Sequence, residues 1–316
     1  MMKLTVAAIA LASSAAVATA PAYAKYPERP VTAIVAWTAG GATDLVARGI
    51  QDAMSRSLGQ QLIVKNVPGA AGTIGTAESA AAAPDGYTIL ITPSGPMVAQ
   101  PHRMKLAYDL DSFEPICKLV EQPLVLMAAK TGKYKTIAEL AAAAKAAPGK
   151  VTYGSTGPGS ITHLAGIAIE KALGVSMKHV PFKGSADVVQ ALLTNTVDVF
   201  TDQANLVAQY DLHAIGIQSE QRVDTFKDTP TLREGGYDVV MSNYNSIFVP
   251  KGTPDAVKSK LGAACKAALE DDKVKEVFAR QKYPIAYQDA AAFKTFVEAD
   301  YKRVKALVES AGLAKK

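Results

Sequence analysis

A short apolar run, a glycine turn and an amphipathic helix follow one another near the start of this 316-residue chain, and the unit then recurs. Val31 to Trp37 is apolar and β-rich, bounded by Pro30 and Gly40-Gly41, and reads as a strand buried on both faces. From Thr43 to Leu58 the residues Val46, Ile50, Met54 and Leu58 recur every four positions, which predicts a helix with one apolar face, and Gly59 ends it. Further strands are predicted at 61–64, 87–92, 151–155, 177–180 and 197–200, with helices at 73–83, 160–173 and 185–193. Thr136 and Glu139 form a capping box for another helix, because hydroxyl and carboxylate each satisfy a free amide at a helix start. Thr253-Pro254-Asp255 predicts a further cap, with the proline at the first helical position. A last helix is predicted from Asp289 to Ala311, with Phe293, Phe296, Val297, Tyr301, Val304 and Val308 on one face. Alternation of this kind predicts an α/β fold with parallel sheets flanked by helices.

The first 24 residues read as an export signal. Lys3 supplies a positive charge, Leu4 to Val17 is apolar and small, and Ala22-Tyr23-Ala24 fits a cleavage site, so the mature chain is expected in the periplasm beginning at Lys25. An anchor is disfavoured, since the apolar core is shorter than the ~20 residues that span a bilayer and is broken by Ser13, Ser14 and Thr19. What remains suits two domains of roughly 150 residues. No long linker separates them, so the chain is expected to cross between lobes near Glu121 to Val125 and again near Met241 to Phe248. That places lobe 1 at 25–122 and 244–316 and lobe 2 at 123–243. The formal charge of +5 falls to +4 without Lys3 and is dispersed, which gives nucleic-acid binding little support. Cys117 and Cys265 are expected as two separately buried thiols, a single bridge being the alternative.

Four glycine- and hydroxyl-rich turns follow predicted strands: 38–44, 93–96, 155–160 and 181–185. In an open parallel sheet the ligand crevice lies outside the carboxyl ends of the strands. Helices begin there, so their free amides and positive dipole ends suit an anion such as a carboxylate. Each turn taken alone is as well explained as a cap. No G-x-S-x-G, Walker A, G-x-G-x-x-G or H-E-x-x-H sequence occurs, and His102, His163, His179 and His213 lack metal-ligand spacing. Ser160, His163 and Asp202 could be drawn as a triad, but nothing builds an oxyanion hole behind Ser160. The chain is therefore read as a binding protein without catalytic, metal or cofactor sites. Asp44 and Asp202 are read as helix caps or water-orienting groups, with an ammonium partner as the alternative for Asp202.

These turns carry a family resemblance. Trp37-Thr38-Ala39-Gly40-Gly41-Ala42-Thr43-Asp44, the stretch from Val64 to Gly75, Pro84-Asp85-Gly86-Tyr87-Thr88, Tyr153 to Ser160 with His163-Leu164-Ala165, Val180 to Gly184, and Phe248 to Pro254 stand in order along the chain. Together they closely resemble the extracytoplasmic solute receptors of tripartite tricarboxylate transporters, the TctC or Bug family. The resemblance implies a two-lobed periplasmic-binding-protein fold, type II-like, with a mainly parallel sheet in each lobe and a flytrap closure on ligand. It implies a monomeric receptor that passes a small carboxylate, an aliphatic di- or tricarboxylate first of all, to integral membrane permease subunits. An aromatic carboxylate or amino acid as ligand, a sensor role beside a membrane kinase, and a periplasmic hydrolase are the other readings. In that family backbone amides, hydroxyls and bridging waters hold the carboxylate. Carried over, the first turn contributes Thr38, Ala39, Gly40, Gly41 and Asp44, and the second-lobe turn Ser155, Thr156, Gly157 and Ser160. Ser94, His163, Lys183, Gly184 and Asp202 stand at or behind the cleft. Ser94-Gly95-Pro96-Met97 departs from a stretch that is usually more polar, which leaves the far end of the ligand open.

Overall fold

Alternate residues of strand β1 (Val31–Val35) serve two different cores. Val31, Ala33 and Val35 pack with Val46, Ile50 and Met54 of helix α1 (Ala42–Leu58), while Ile34 faces a second core on the opposite side of the sheet. Both faces are covered, which is why the strand reads as a continuous apolar run. The computed structural model describes residues 26–37, 39, 40, 42–182, 185–223 and 226–315. The expected export signal, 1–24, and the turn residues Thr38, Gly41, Lys183 and Gly184 lie outside the described residues.

Strands β2 (Leu62–Asn66) and β3 (Thr88–Pro93) flank β1 and run parallel to it, with α2 (Thr73–Ala80) between them in sequence. Two short helices, α3 (Ser94–Val98) and α4 (Gln100–Arg103), follow β3. The 16-residue strand β4 (Phe113–Ala128) comes next, and then α5 (Ile137–Ala146), where the Thr136–Glu139 capping box forms as predicted. After it run β5 (Thr152–Ser155), α6 (Ile161–Leu173), β6 (Lys178–Pro181), α7 (Ser185–Leu193), β7 (Val199–Gln203), α8 (Asn205–Gln209) and β8 (His213–Ile217). Ser160 caps α6 by accepting from the His163 N–H, and Gly174 closes it in the left-handed region. The chain ends with β9 (Ser242–Pro250), α9 (Asp255–Glu270), α10 (Asp272–Arg280), β10 (Ile285–Gln288) and α11 (Ala290–Ser310).

The strand order is β2-β1-β3-β9-β4-β7-β5-β6, with β10 and β8 also on β4. Strand β4 serves two sheets. Its residues Phe113 to Pro123 pair with β9, whereas Leu124 to Met127 pair with β7. The return lies beside the departure: the Leu124 N–H donates to Met241 O at 2.9 Å, and Ser242 faces Pro123. The β1–β3 and β5–β7 groups are internally parallel, and the crossing strands β4 and β9 run antiparallel to their neighbours.

Two local expectations are corrected. Cys117 on β4 and Cys265 on α9 are joined in a disulfide, not held as separate thiols, because α9 packs across β4 and brings their Cα atoms to 6.8 Å. Pro254 is the N-cap of α9, not its first helical residue, and the Thr253 hydroxyl turns back to donate to Pro250 O. The apolar stripe of α11 is seen as read: Phe293, Val297, Val304 and Val308 are buried, with Tyr244 and Phe248 in the same core. Among the described residues no helix is long and apolar enough to cross a membrane.

Candidate functional site

The four glycine-rich turns meet around one cleft of about 510 Å³. Ala42 and Thr43 come from the first turn, Pro93, Gly95 and Pro96 from the second, Thr156 and Ser160 from the third, and Ser185 from the fourth. The volume suits a small organic molecule. Helices α1, α6 and α7 all start at this wall, through Ala42 and Thr43, Ile161 and Thr162, and Ser185. Each start leaves backbone N–H groups without helical partners and a positive dipole end, so three such ends turn toward the same space. No lysine or arginine stands among the described lining residues.

A chain of hydroxyls forms the second-lobe wall. Thr162 Oγ1 accepts from the Thr156 N–H at 2.9 Å and lies 3.0 Å from Thr156 Oγ1 and 2.9 Å from Ser160 Oγ. Ser160 Oγ in turn donates to Gly157 O at 2.8 Å. Behind this wall Ser155, fully buried, meets His179 Nε2 at 2.6 Å through its hydroxyl, which also accepts from the Gly157 N–H. His163 stacks on His179 with ring centroids 3.8 Å apart, and its Nδ1 accepts from the Gly159 N–H at 2.8 Å. Burial, then the neighbouring His179 and the Arg103 cation, pushes the His163 pKa down to about 4. A neutral ring is what an Nδ1 acceptor requires. Ser155 and His163 thus brace the turn from behind.

The two aspartates differ in place and state. Asp44 is off the cleft wall: its Oδ2 accepts from the Gly40 N–H and Arg48 Nε, both at 2.8 Å, and its Oδ1 from Asn66 Nδ2 at 2.9 Å. Burial works to raise its pKa, but these three donors outweigh burial and hold it below the usual carboxylate range. Asp202 lines the cleft, with Ser185 Oγ donating to it at 2.5 Å and the Gln203 N–H at 2.8 Å. Here burial prevails over both hydrogen bonds and pushes the pKa up to about 6.

Of the residues singled out in the sequence, Thr156, Ser160 and Asp202 line the cleft. Ser94 is buried beside it, donating to Asn243 Oδ1 at 3.3 Å, while Ala39 and Gly40 are exposed and Gly157 lies behind the wall. Ser160, His163 and Asp202 do not assemble as a triad: Ser160 Oγ bonds Gly157 and Thr162, His163 bonds Gly159, and Asp202 bonds Ser185. Sequence reasoning missed Trp37, Gln100, Thr162, Gln203 and Asn243 as lining residues. The lone Trp37, at the end of the first strand, was the one with a visible signal, and its buried Nε1 has no protein acceptor among the described residues. Among the described residues larger depressions lie elsewhere, about 780 Å³ between α9 and α11, about 660 Å³ between α6 and α11, and a shallow one of about 530 Å³ between α1 and β2. In the first two the charged groups are largely spent on each other, Lys258 on Glu114 and Asp255, and Arg303 on Asp300.

Residues 46–313 match the tripartite tricarboxylate transporter family receptor. Among solved structures, the periplasmic binding protein BugD is 33% identical with a TM-score of 0.76, over 92% of this chain and 100% of its own. MatC of Rhodopseudomonas palustris, solved with malate bound, is 30% identical with a TM-score of 0.75, over 90% of this chain and 100% of its own. An R. palustris protein solved with adipate is 26% identical with a TM-score of 0.79, over 92% and 99% of the two chains. The chain belongs to this family of receptors, and its fold is their two-lobed periplasmic-binding-protein fold.

Proposed function

We propose that this receptor takes up an aliphatic di- or tricarboxylate in the 510 Å³ cleft and delivers it unchanged to an integral membrane permease. The observation that carries the reading is the convergence of the α1, α6 and α7 starts on a wall of hydroxyls, which supplies dipoles and donors where a carboxylate needs them. The malate and adipate seen in two structural neighbours support the ligand class. One carboxylate lies against the turns at 38–44 and 155–160, touching Thr156 and Ser160, with Thr38, Ala39 and Gly41 as first-turn candidates and the Gly40 N–H kept for Asp44. Asp44, Ser155, Gly157 and His163 support those turns from behind, Asp202 borders the ligand with Ser94 beside it, and Lys183 and Gly184 are further candidate contacts.

Residues 25–122 and 244–316 make one lobe of this reading and 123–243 the other, so a ligand that touches both favours the closed arrangement. The protein acts as a monomer in the periplasm after cleavage behind Ala24. It is a receptor and not an enzyme, since Ser160, His163 and Asp202 are each committed to other partners. Calorimetry of the mature protein with malate and with adipate, followed by NMR of the bound acid, tests the proposal. Saturable binding of at least one acid with an unchanged ligand spectrum is expected. Conversion of the acid, or binding confined to aromatic acids or amino acids, overturns it.

A further inference from the structure

Gln100 is almost entirely buried and lines the cleft, and its side-chain oxygen accepts from Arg103 Nη1 at 3.0 Å. A guanidinium has only donors, so it fixes which way the carboxamide faces: Oε1 toward Arg103 and the NH2 group away from it. Among the described residues no protein acceptor takes those N–H groups. Asn243 on the same cleft is not fixed in this way, because its partner Ser94 carries a hydroxyl that donates or accepts. Arg103 is itself held from the other lobe. It packs so closely on the 155–160 turn that a Cβ at Gly159 would lie 1.9 Å from its Nε, and Gly159 is therefore glycine on grounds of space as well as its φ of +69°.

We propose that Gln100 is a ligand contact whose carboxamide donates to the second carboxylate of a two-ended acid, with Arg103 as the residue that positions it. Gln100 comes from α4, on a wall that the α1, α6 and α7 starts do not supply, so it serves the end of the ligand that those helices leave unmatched. The guanidinium adds a positive charge behind the amide without entering the described cleft lining, which strengthens a hydrogen bond to an anion while leaving no direct salt bridge. Since Arg103 packs on Gly159, the donor is set where α4 and the 155–160 turn are both against the cleft.

This rests on the dicarboxylate reading, and its test separates the two. Titrations compare adipate with hexanoate and malate with 2-hydroxybutyrate, each pair differing by one carboxylate. Gln100→Leu is expected to weaken the diacid about tenfold or more and to leave the monoacid within about twofold, so that the preference for the diacid falls. Gln100→Glu keeps the shape, reverses the donor and loses still more. Arg103→Met lowers the same preference by less, and Arg103→Lys restores part of it. The side-chain amide resonance of Gln100, assigned by its loss in Gln100→Glu, is expected to shift on addition of the diacid. An unmoved resonance, or a folded Gln100→Leu protein with the wild-type preference, overturns the inference and leaves the receptor reading standing. A wild type that binds neither diacid overturns both.

Discussion

Asp44 on α1 and Asp202 on β7 are both almost completely buried near the same cleft, and their surroundings act in opposite directions. Asp44 meets a cation, an amide side chain and a backbone N–H, and is held ionised. Asp202 meets a hydroxyl and one backbone N–H, and burial raises its pKa to about 6. The side that carries α1 is fastened by a charged brace and a disulfide, whereas the wall around Thr156, Ser160 and His163 is held by neutral contacts, hydroxyls and stacked rings. The difference keeps the Asp44 carboxylate outside the described cleft lining and leaves the Asp202 carboxylate on it, charged only as the pH rises through about 6. The positive part of the field a ligand meets then comes from helix starts, since no lysine or arginine stands among the described lining residues.

Removing the disulfide should strain this contrast most. A Cys117→Ala/Cys265→Ala protein frees a loop of 148 residues in the unfolded chain and is expected to lose about 2–5 kcal/mol of stability. Hydrogen exchange should show β1, β4 and α9 losing protection before β5 and β7. Uniform loss would mean that the lobes unfold as one unit and are not separately held.

The aspartates themselves give the next effect. At pH 7.5 Asp44→Ala is expected to cost about 3 kcal/mol by orphaning its donors, whereas Asp202→Asn should stabilise by about 1–2 kcal/mol through relief of a buried charge. The signs follow from the shifts. With a lowered pKa, Asp44 contributes stability that is present above the unfolded value of 3.8 and lost as the pH falls, so the deficit of the alanine variant shrinks in acid. With a raised pKa, the contribution of Asp202 is present below 3.8 and lost as the pH rises through about 6, so the advantage of the asparagine variant grows across that window and then levels. Melting temperatures between pH 4 and 8 check both, and parallel profiles for the two variants would erase the distinction.

The smallest effect is expected at the hydroxyl chain. Thr162→Val keeps the shape and removes the link between Thr156 and Ser160, and should weaken binding of malate or adipate by about 0.5–1.5 kcal/mol. Calorimetry showing no change would exclude the network from the binding wall.

The parallel units were legible because each obeys one local rule at a time, as in the four-residue spacing of Val46, Ile50, Met54 and Leu58. The four turns could be placed on one edge for the same reason. Strand β4 was not legible. Glu114, Pro115, Lys118, Gln122 and Pro123 interrupt its apolar pattern, and polar members find partners far along the chain, as Lys118 does in the Phe296 ring and Gln122 in Lys282 O. The disulfide stayed the secondary reading as a consequence, since it depends on α9 crossing that strand. Gln100 and Asn243 look like ordinary polar residues in sequence, and only folding brings them to Thr156 and Ser160. Asp44 and Asp202 looked alike because one donor to each is distant: Asn66 lies 22 residues from one and Ser185 lies 17 from the other.

The neighbouring exits of β4 and β9 make the second lobe a cassette. The chain leaves at Leu124 and comes back at Met241, one hydrogen bond apart, so the ends of the intervening segment coincide. A segment exchanged between these ends has to preserve the register of Pro123 against Ser242 and the packing of α6 on α11. One half of the ligand wall, with the 155–160 turn, travels with that cassette, and the other half, with Gln100, stays behind. New specificities can then arise by recombining halves as well as by substituting single residues, and chimaeras joined at these two points are the natural units for building them.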